Sequence, residues 1–149
     1  MNNLDYGIIG NCKSAALISK SGSIDWCCLP NFDSSSVFAK ILDDKKGGSF
    51  EILVSSAYTI SQKYIAKTNI LVTEFKNGND VFESIDFMPR YKEADGSFYA
   101  PPDIIRYIKH ISGAPVFKVK YNPKLEYAKE ETYFKTTDNY IKSITDEDK

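Results

Sequence analysis

The segment NILVTEFKNGNDVFESIDFMP, residues 69–89, constrains the fold more than any other stretch of the chain. Two runs of alternating character flank Asn77-Gly78, the dipeptide preferred in a type I′ hairpin turn. In the first arm Leu71, Thr73 and Phe75 share one face. In the second, Val81, Glu83, Ile85 and Phe87 lie opposite Phe82, Ser84 and Asp86. A period of two is the signature of a strand, so this region is read as a β-hairpin.

The same signal recurs along the chain. YGIIGN at 6–11 is short, apolar and bounded by glycine. AALISKSGSIDWCCL at 15–29 reads as a hairpin turning at Ser21-Gly22-Ser23. Strands are expected at SFEILV (49–54), YTISQKYIA (58–66), IIRYIKHI (104–111) and VFKVKYNP (116–123), with GAP at 113–115 as a turn. TYFKT and YIKSI around Thr137-Asp138-Asn139 give a last hairpin, and TDEDK at 145–149 a solvated charge run. Residues 91–103 read as a polar loop, where Pro101 and Pro102 argue against a central strand. One stretch breaks the pattern. In SSSVFAKILDDKKGG, Val37, Phe38, Ile41 and Leu42 fall at helical spacing, serines precede them as N-caps, and Gly47-Gly48 ends the run. The expected architecture is all-β: an antiparallel β-sandwich in one domain, 1–149, with one short helix near residues 36–43. Because the chain stops just after a strand, it is expected to be a piece of something longer.

With 149 residues, 42% of them hydrophobic, the chain can bury a substantial core. A net charge of -1 with scattered basic residues excludes roles that need a clustered positive field, so no nucleic acid and no membrane are expected as partners. No apolar run approaches the length of a membrane span, and the first residues carry no secretory signal. Cys12, Cys27 and Cys28 do not make a disulfide framework and read as small buried hydrophobes in a reducing, cytoplasmic setting. No cofactor or metal is expected: there is no Cys-x-x-Cys, and His110 is the sole histidine.

Enzymatic patterns are scarce. His110 sits in a regularly alternating strand, and neither a Gly-x-Ser-x-Gly elbow nor a phosphate-binding loop occurs. Asp25, Asp33, Glu83 and Asp86 lie amid apolar residues, but nothing in their spacing selects an acid and a base. They read as hydrogen-bonded turn and strand carboxylates. DWCCLPNFDSSS at 25–36 makes a better case as a sugar-binding surface. Trp26 and Phe32 supply rings to stack on pyranose faces, and Asp25, Asn31 and Asp33 supply polar groups for hydroxyls. Against this, Trp26 lies on an apolar strand and suits the core, while Asp33 and Ser34 suit helix caps.

Tyr6, Gly7, Ile9, Gly10, Asn11, Ser14 to Leu17, Gly22 to Trp26, Cys28, Pro30, Phe32 to Ser34, Ser36, Phe38, Leu42, Asp43, Gly47 and Gly48 carry a resemblance. Their pattern resembles the start of bacterial and archaeal glycoside hydrolase family 15 enzymes, the glucoamylase-like and trehalase-like proteins. TNILVTEFKNGNDVFESIDFMPR and IIRYIKHISGAPVFKVKYNPKLEYAK resemble later stretches of the same region. The chain departs from the pattern at Ala128, often Gly in the family, and at Asn31, often basic. The resemblance implies an N-terminal β-sandwich followed by an (α/α)6 barrel that holds both catalytic glutamates of an inverting hydrolysis. This chain, ending before any barrel helix, is then expected to be non-catalytic and to support folding of the barrel. Its sandwich is expected to be incomplete, so that exposed edges favour self-association. Asn11, Asp25, Trp26, Pro30, Asn31, Phe32, Asp33 and Ser34 become a candidate substrate- or barrel-facing set, with α-glucosides as possible ligands at the domain junction and Pro30–Ser36 turned toward the barrel. A stand-alone carbohydrate-binding or protein-interaction β-sandwich is the alternative.

Overall fold

A computed structural model describes residues 5–146. It is an antiparallel sandwich of two open sheets. The larger is built from β1 (Tyr6–Gly10), β2 (Ala15–Ser19), β3 (Ile24–Cys28), β4 (Ser36–Phe38) and β5 (Ser49–Leu53). The smaller is built from β6 (Thr59–Tyr64), β7 (Leu71–Asn77) and β8 (Asp80–Phe87). A short ribbon of β9 (Tyr91–Lys92) and β10 (Phe98–Tyr99) follows. Then β11 (Ile105–Ser112) returns to the smaller sheet and β12 (Lys118–Asn122) to the larger. The chain closes with a separate hairpin of β13 (Tyr133–Thr136) and β14 (Ile141–Ile144). The larger sheet runs β1-β2-β3-β5-β12 with β4 also on β3, and the smaller runs β11-β8-β7-β6. Thr145 is buried and Asp146 exposed; the rest of the terminal charge run lies outside the described residues.

Alternation builds the core. Leu71, Thr73 and Phe75 on β7 stand opposite Asp86, Ser84 and Phe82 on β8, and all six are nearly inaccessible to water. Toward one end Leu71 and Met88 pack with Ile9, Ala16, Ile18, Ile24 and Cys27 of the larger sheet. Toward the other, the rings of Phe75 and Phe82 stack at 4.6 Å, with Phe117 on the far side of Phe82 at 4.6 Å. Between these clusters lies a buried ion pair. The Asp86 side chain is 0% exposed and the Arg106 side chain 5%. Arg106 Nε donates to Asp86 Oδ1 at 2.7 Å and Nη2 to Oδ2 at 3.2 Å. Its remaining donors cross to the other sheet, Nη1 to Phe50 O at 2.8 Å and Nη2 to Gly22 O at 2.7 Å, and its guanidinium lies over the Phe50 ring. One side chain thus ties both sheets together. A smaller tie closes the outer margin of β1, where the Tyr64 hydroxyl accepts from Ile8 N at 2.7 Å and donates to Ile8 O at 2.9 Å.

Two local expectations are corrected. Residues 36–43 form no helix: Ser36–Phe38 is the strand β4, and a run of turns follows to Gly47. Because β5 reaches β3 only at Ile24, the far end of β3 is left unpaired, and residues 36–38 satisfy it. Ser36 and Phe38 then point inward, with 1% and 3% exposure, while Leu42 is 71% exposed, which no inward helical stripe would permit. The hairpin turn lies one residue later than expected. Asn77 pairs with Asp80, Gly78-Asn79 occupy the turn, and Gly78 has φ 58° while Asn79 is not among the positive-φ residues, as a type II′ turn requires. The 113–115 turn carries the chain from one sheet to the other, since β11 pairs with β8 and β12 with β5.

The loop end and the family of the chain

The loops that follow β1, β3, β6 and β8 gather at one end of the sandwich. Asn11 is their hub. It is 2% exposed, its Oδ1 accepts from Lys13 N and Ser14 N at 3.1 Å, and its Nδ2 donates to Pro101 O at 2.8 Å. Phe32 N donates to Lys13 O at 2.9 Å, which lays the loop after β3 on the loop after β1. Asn69 Nδ2 donates to Gly10 O. The Arg90 guanidinium sits 4.0 Å from the centre of the Phe98 ring, with Nη1 3.5 Å from Cys12 Sγ. Between these loops lies a cleft of about 400 Å³ lined by Asn11, Cys12, Asn69, Phe87 and Arg90. Beside it Tyr91, Phe98 and Tyr99 are each more than half exposed, and Phe32 is 62% exposed. The paired register Tyr99 to Tyr91 puts two phenol rings side by side on the ribbon.

The eight residues expected at a site do not form one constellation. Pro30, Asn31, Phe32 and Asp33 make an exposed loop tip, closed where Asn31 N donates to Ser34 Oγ at 3.1 Å and Ser34 N to Asn31 O at 3.2 Å. Asp33 and Ser34 cap no helix, because none follows. Asn11 lies beneath the tip as a structural hub. Asp25 is 5% exposed and spent on fold: the Tyr6 hydroxyl donates to Oδ2 at 3.0 Å and Ser23 Oγ to Oδ1. Burial, with the charge and hydrogen bond of Asp25, pushes the Tyr6 hydroxyl up to about 12. Trp26 is half-buried rather than core. A bulge in the pairing of β2 with β3 aligns it with Leu17, and Leu17 with the exposed Ile8, on the outer face of the larger sheet. Cys27 and Cys28 are buried as expected but Cys12 is exposed, and burial pushes the Cys27 thiol up to about 12, which leaves it protonated and inert.

The other carboxylates singled out in the sequence are also engaged or exposed. Asp86 is held by Arg106, Glu83 pairs with Lys109 at 3.7 Å, and Asp33 is on the tip. The sequence reading missed Arg90, Tyr91, Phe98 and Tyr99, having assigned 91–103 to a polar loop. A usable signal was there: three aromatic residues in an otherwise polar segment, exposed at a cost that a purely connecting loop does not require. A second missed contact flanks the tip. Glu126, Tyr127 and Ala128 have φ of 52°, 57° and 57° in one left-handed turn, and Ser35 Oγ donates to Glu126 Oε2 while the Tyr127 hydroxyl donates to Ser34 O.

Fold and loop end together define an antiparallel β-sandwich domain whose loops present aromatic rings around a cleft at one end. More particularly, the chain belongs to the trehalase-like N-terminal family, whose model matches residues 5–148. It is 39% identical to a trehalase of Thermoplasma volcanium over 128 residues, which is 84% of this chain and 20% of that protein. Against a trehalase of Thermoplasma acidophilum it is 41% identical over 117 residues, 76% of this chain and 20% of that protein. A trehalase of Mycolicibacterium smegmatis is 37% identical over 76 residues, 48% of this chain and 11% of that protein. The chain spans about a fifth of the length of the Thermoplasma relatives it matches. No solved structure gives a significant match. No helix among the described residues is long and apolar enough to cross a membrane.

Proposed function

We propose that this sandwich is the non-catalytic N-terminal module of a cytoplasmic trehalase-type α-glucoside hydrolase of glycoside hydrolase family 15. Its role is to support a C-terminal (α/α)6 barrel and to shape the mouth of that barrel's active site. The barrel supplies the acid and base of an inverting hydrolysis, with trehalose as the substrate favoured over starch-type oligosaccharides. One observation carries the reading: the family match runs along nearly the whole chain, yet the trehalases it matches run on for most of their length beyond it. The engagement of Asp25, Asp86 and Glu83 in hydrogen bonds and ion pairs supports a structural use for these carboxylates. In this reading the tip Pro30–Ser36 turns toward the barrel, and the open margins of β11 and β12 give the isolated sandwich a tendency to self-associate.

The test is a graft. This chain replaces the matching N-terminal fifth of the Thermoplasma volcanium trehalase, and trehalose hydrolysis is measured for the graft, for the relative without that fifth, and for this chain alone. The expected result is activity in the graft, none in the truncated relative and none in the chain alone. Glucose released by the purified chain, or a truncated relative as active and heat-resistant as the intact one, overturns the proposal.

A further inference from the structure

Over the half nearer the loop end, the outer face of the smaller sheet carries mostly apolar side chains, buried at Val72 and open toward β11. Its inner face carries Phe75, Phe82 and the Asp86–Arg106 pair, so alternation sends the residues between them outward. On the outer face the row Lys63–Val72–Ile85–Tyr107 crosses all its strands, and Phe87–Ile105 forms the next row toward the loop end. Tyr107 is 57% exposed and Ile105 39%, Ile85 and Phe87 are partly covered, and Val72 is 5% exposed, so the open part of the patch lies on the β11 side. The other half of the same face is charged: Ser61, Glu74, Glu83 and Lys109 form one row, closed by the Glu83–Lys109 pair at 3.7 Å. An apolar centre bordered by charge on one side is the anatomy of an interface rather than of a solvated sheet face. The patch abuts the loop end where Arg90, Tyr91 and Tyr99 project.

We infer that the loop-end half of this outer face, centred on Tyr107 and Ile105, is the surface on which the helical catalytic region of the proposed hydrolase docks. The Thermoplasma trehalases continue for about four times the matched length, so a large body accompanies this module in them. An apolar sheet face is covered by a second sheet or by the apolar stripe of helices laid across it, and the proposed hydrolase supplies the helices. The patch also runs without a break into the loops that the functional reading already turns toward the barrel. The inference rests on that reading and adds the face: the sheet β11-β8-β7-β6 meets the helices, and the outer face of the larger sheet does not.

Hydroxyl-radical footprinting read by peptide mass spectrometry tests this on native Tyr107, in the isolated chain and in the graft described above. Tyr64, 46% exposed at the β1 margin, is the internal control. Tyr107 oxidation is expected to fall roughly fivefold or more in the graft as the ring is buried in an interface core, with Tyr64 unchanged. In parallel, Ile105→Glu/Tyr107→Glu is expected to leave the melting of the isolated chain unchanged and to lower the active lifetime of the heated graft roughly tenfold, as loss of an interface anchor does. Thr59→Glu, on the same face at the opposite end, is expected to do neither. A graft that hydrolyses trehalose while Tyr107 stays as reactive as in the free chain overturns the docking face and spares the functional reading. A graft that is inactive, with Tyr107 unprotected, overturns both.

Discussion

Replacing Arg106 with methionine is expected to cost more stability than any surface change in this protein. Met fills much of the aliphatic volume but deletes every hydrogen bond the guanidinium makes. Asp86, 0% exposed, is then left with only the Ser84 hydroxyl at 3.2 and 3.3 Å, and the carbonyls of Phe50 and Gly22 lose the donors that reach them across the sandwich. Breaking a buried ion pair from one side costs about 3–5 kcal/mol, because the remaining charge stays buried without its counter-ion. Domains of this kind have about 5–15 kcal/mol in total. With a urea dependence of about 2 kcal/mol per molar, the unfolding midpoint should fall by roughly 2 M. The second arm of the experiment isolates the cause. Arg106→Met/Asp86→Leu removes both charges together and should recover at least half of the loss, since a buried pair exchanged for apolar groups is often close to neutral. Urea melts followed by tryptophan fluorescence report through Trp26. A loss below about 1 kcal/mol for the single variant, or a double variant no more stable than the single, refutes the argument that this pair is a buried, mutually dependent tie.

Ala128→Gly should stabilise the domain by about 0.5–1 kcal/mol in thermal melts, because Ala128 holds φ 57°, a left-handed conformation that costs a non-glycine residue about 1 kcal/mol. Glu51 predicts an acid limb. Burial raises its pKa, but hydrogen bonds from Ser49 and Lys120 and the charge of Lys40 outweigh burial and bring it from 4.5 down to about 2. Its folded pKa lies below its unfolded one, so its contribution is complete above pH 4.5 and is lost as pH falls toward about 2. Glu51→Gln should flatten that part of a stability–pH curve by about 1–2 kcal/mol after screening, and an unchanged curve contradicts the assignment. Gly22→Ala should destabilise by about 2 kcal/mol or more, since φ is 79° and the new Cβ would meet Phe75 Cζ at 2.9 Å in the packed core. Phe32→Ala, on the exposed tip, should shift stability by no more than about 0.5 kcal/mol in the same melts; a larger loss means the tip is packed rather than presented.

Long strands were legible in the sequence because alternation over many residues admits one reading. The β7–β8 hairpin shows this: period alone puts Phe82, Ser84 and Asp86 on one face. That this face is the inward one was not legible, because the opposite set of Val81, Ile85 and Phe87 is the more apolar and only the Asp86–Arg106 pair explains the buried carboxylate. Its turn was misplaced by one residue because Asn77-Gly78 and Gly78-Asn79 are both favourable turn pairs, and register across the strands decided between them. Three residues are too few to show a period, so β4 was read as helix from spacing that includes the solvent-exposed Leu42. What placed it was the unpaired end of β3, a fact of tertiary structure. For Trp26 the strand's apolar character favoured the core over the candidate site set, but the bulge between β2 and β3 puts it on the outer face with Leu17. The loop end was only half legible. Asn31 and Phe32 are exposed on the tip, whereas Asn11 and Asp25 are buried and hydrogen-bonded within the fold, Asn11 at the floor of the cleft. The ribbon beside them, with Arg90 on Phe98, needed the folding back of residues 91–99 to be seen.

A single phenol settles how one rim of this molecule meets its neighbours. By occupying both the donor and the acceptor of Ile8, the Tyr64 hydroxyl takes the place that the first rung of an incoming chain would need. An incoming strand would therefore find one rung of β1 already taken, which weakens that margin as a template for edge-to-edge pairing.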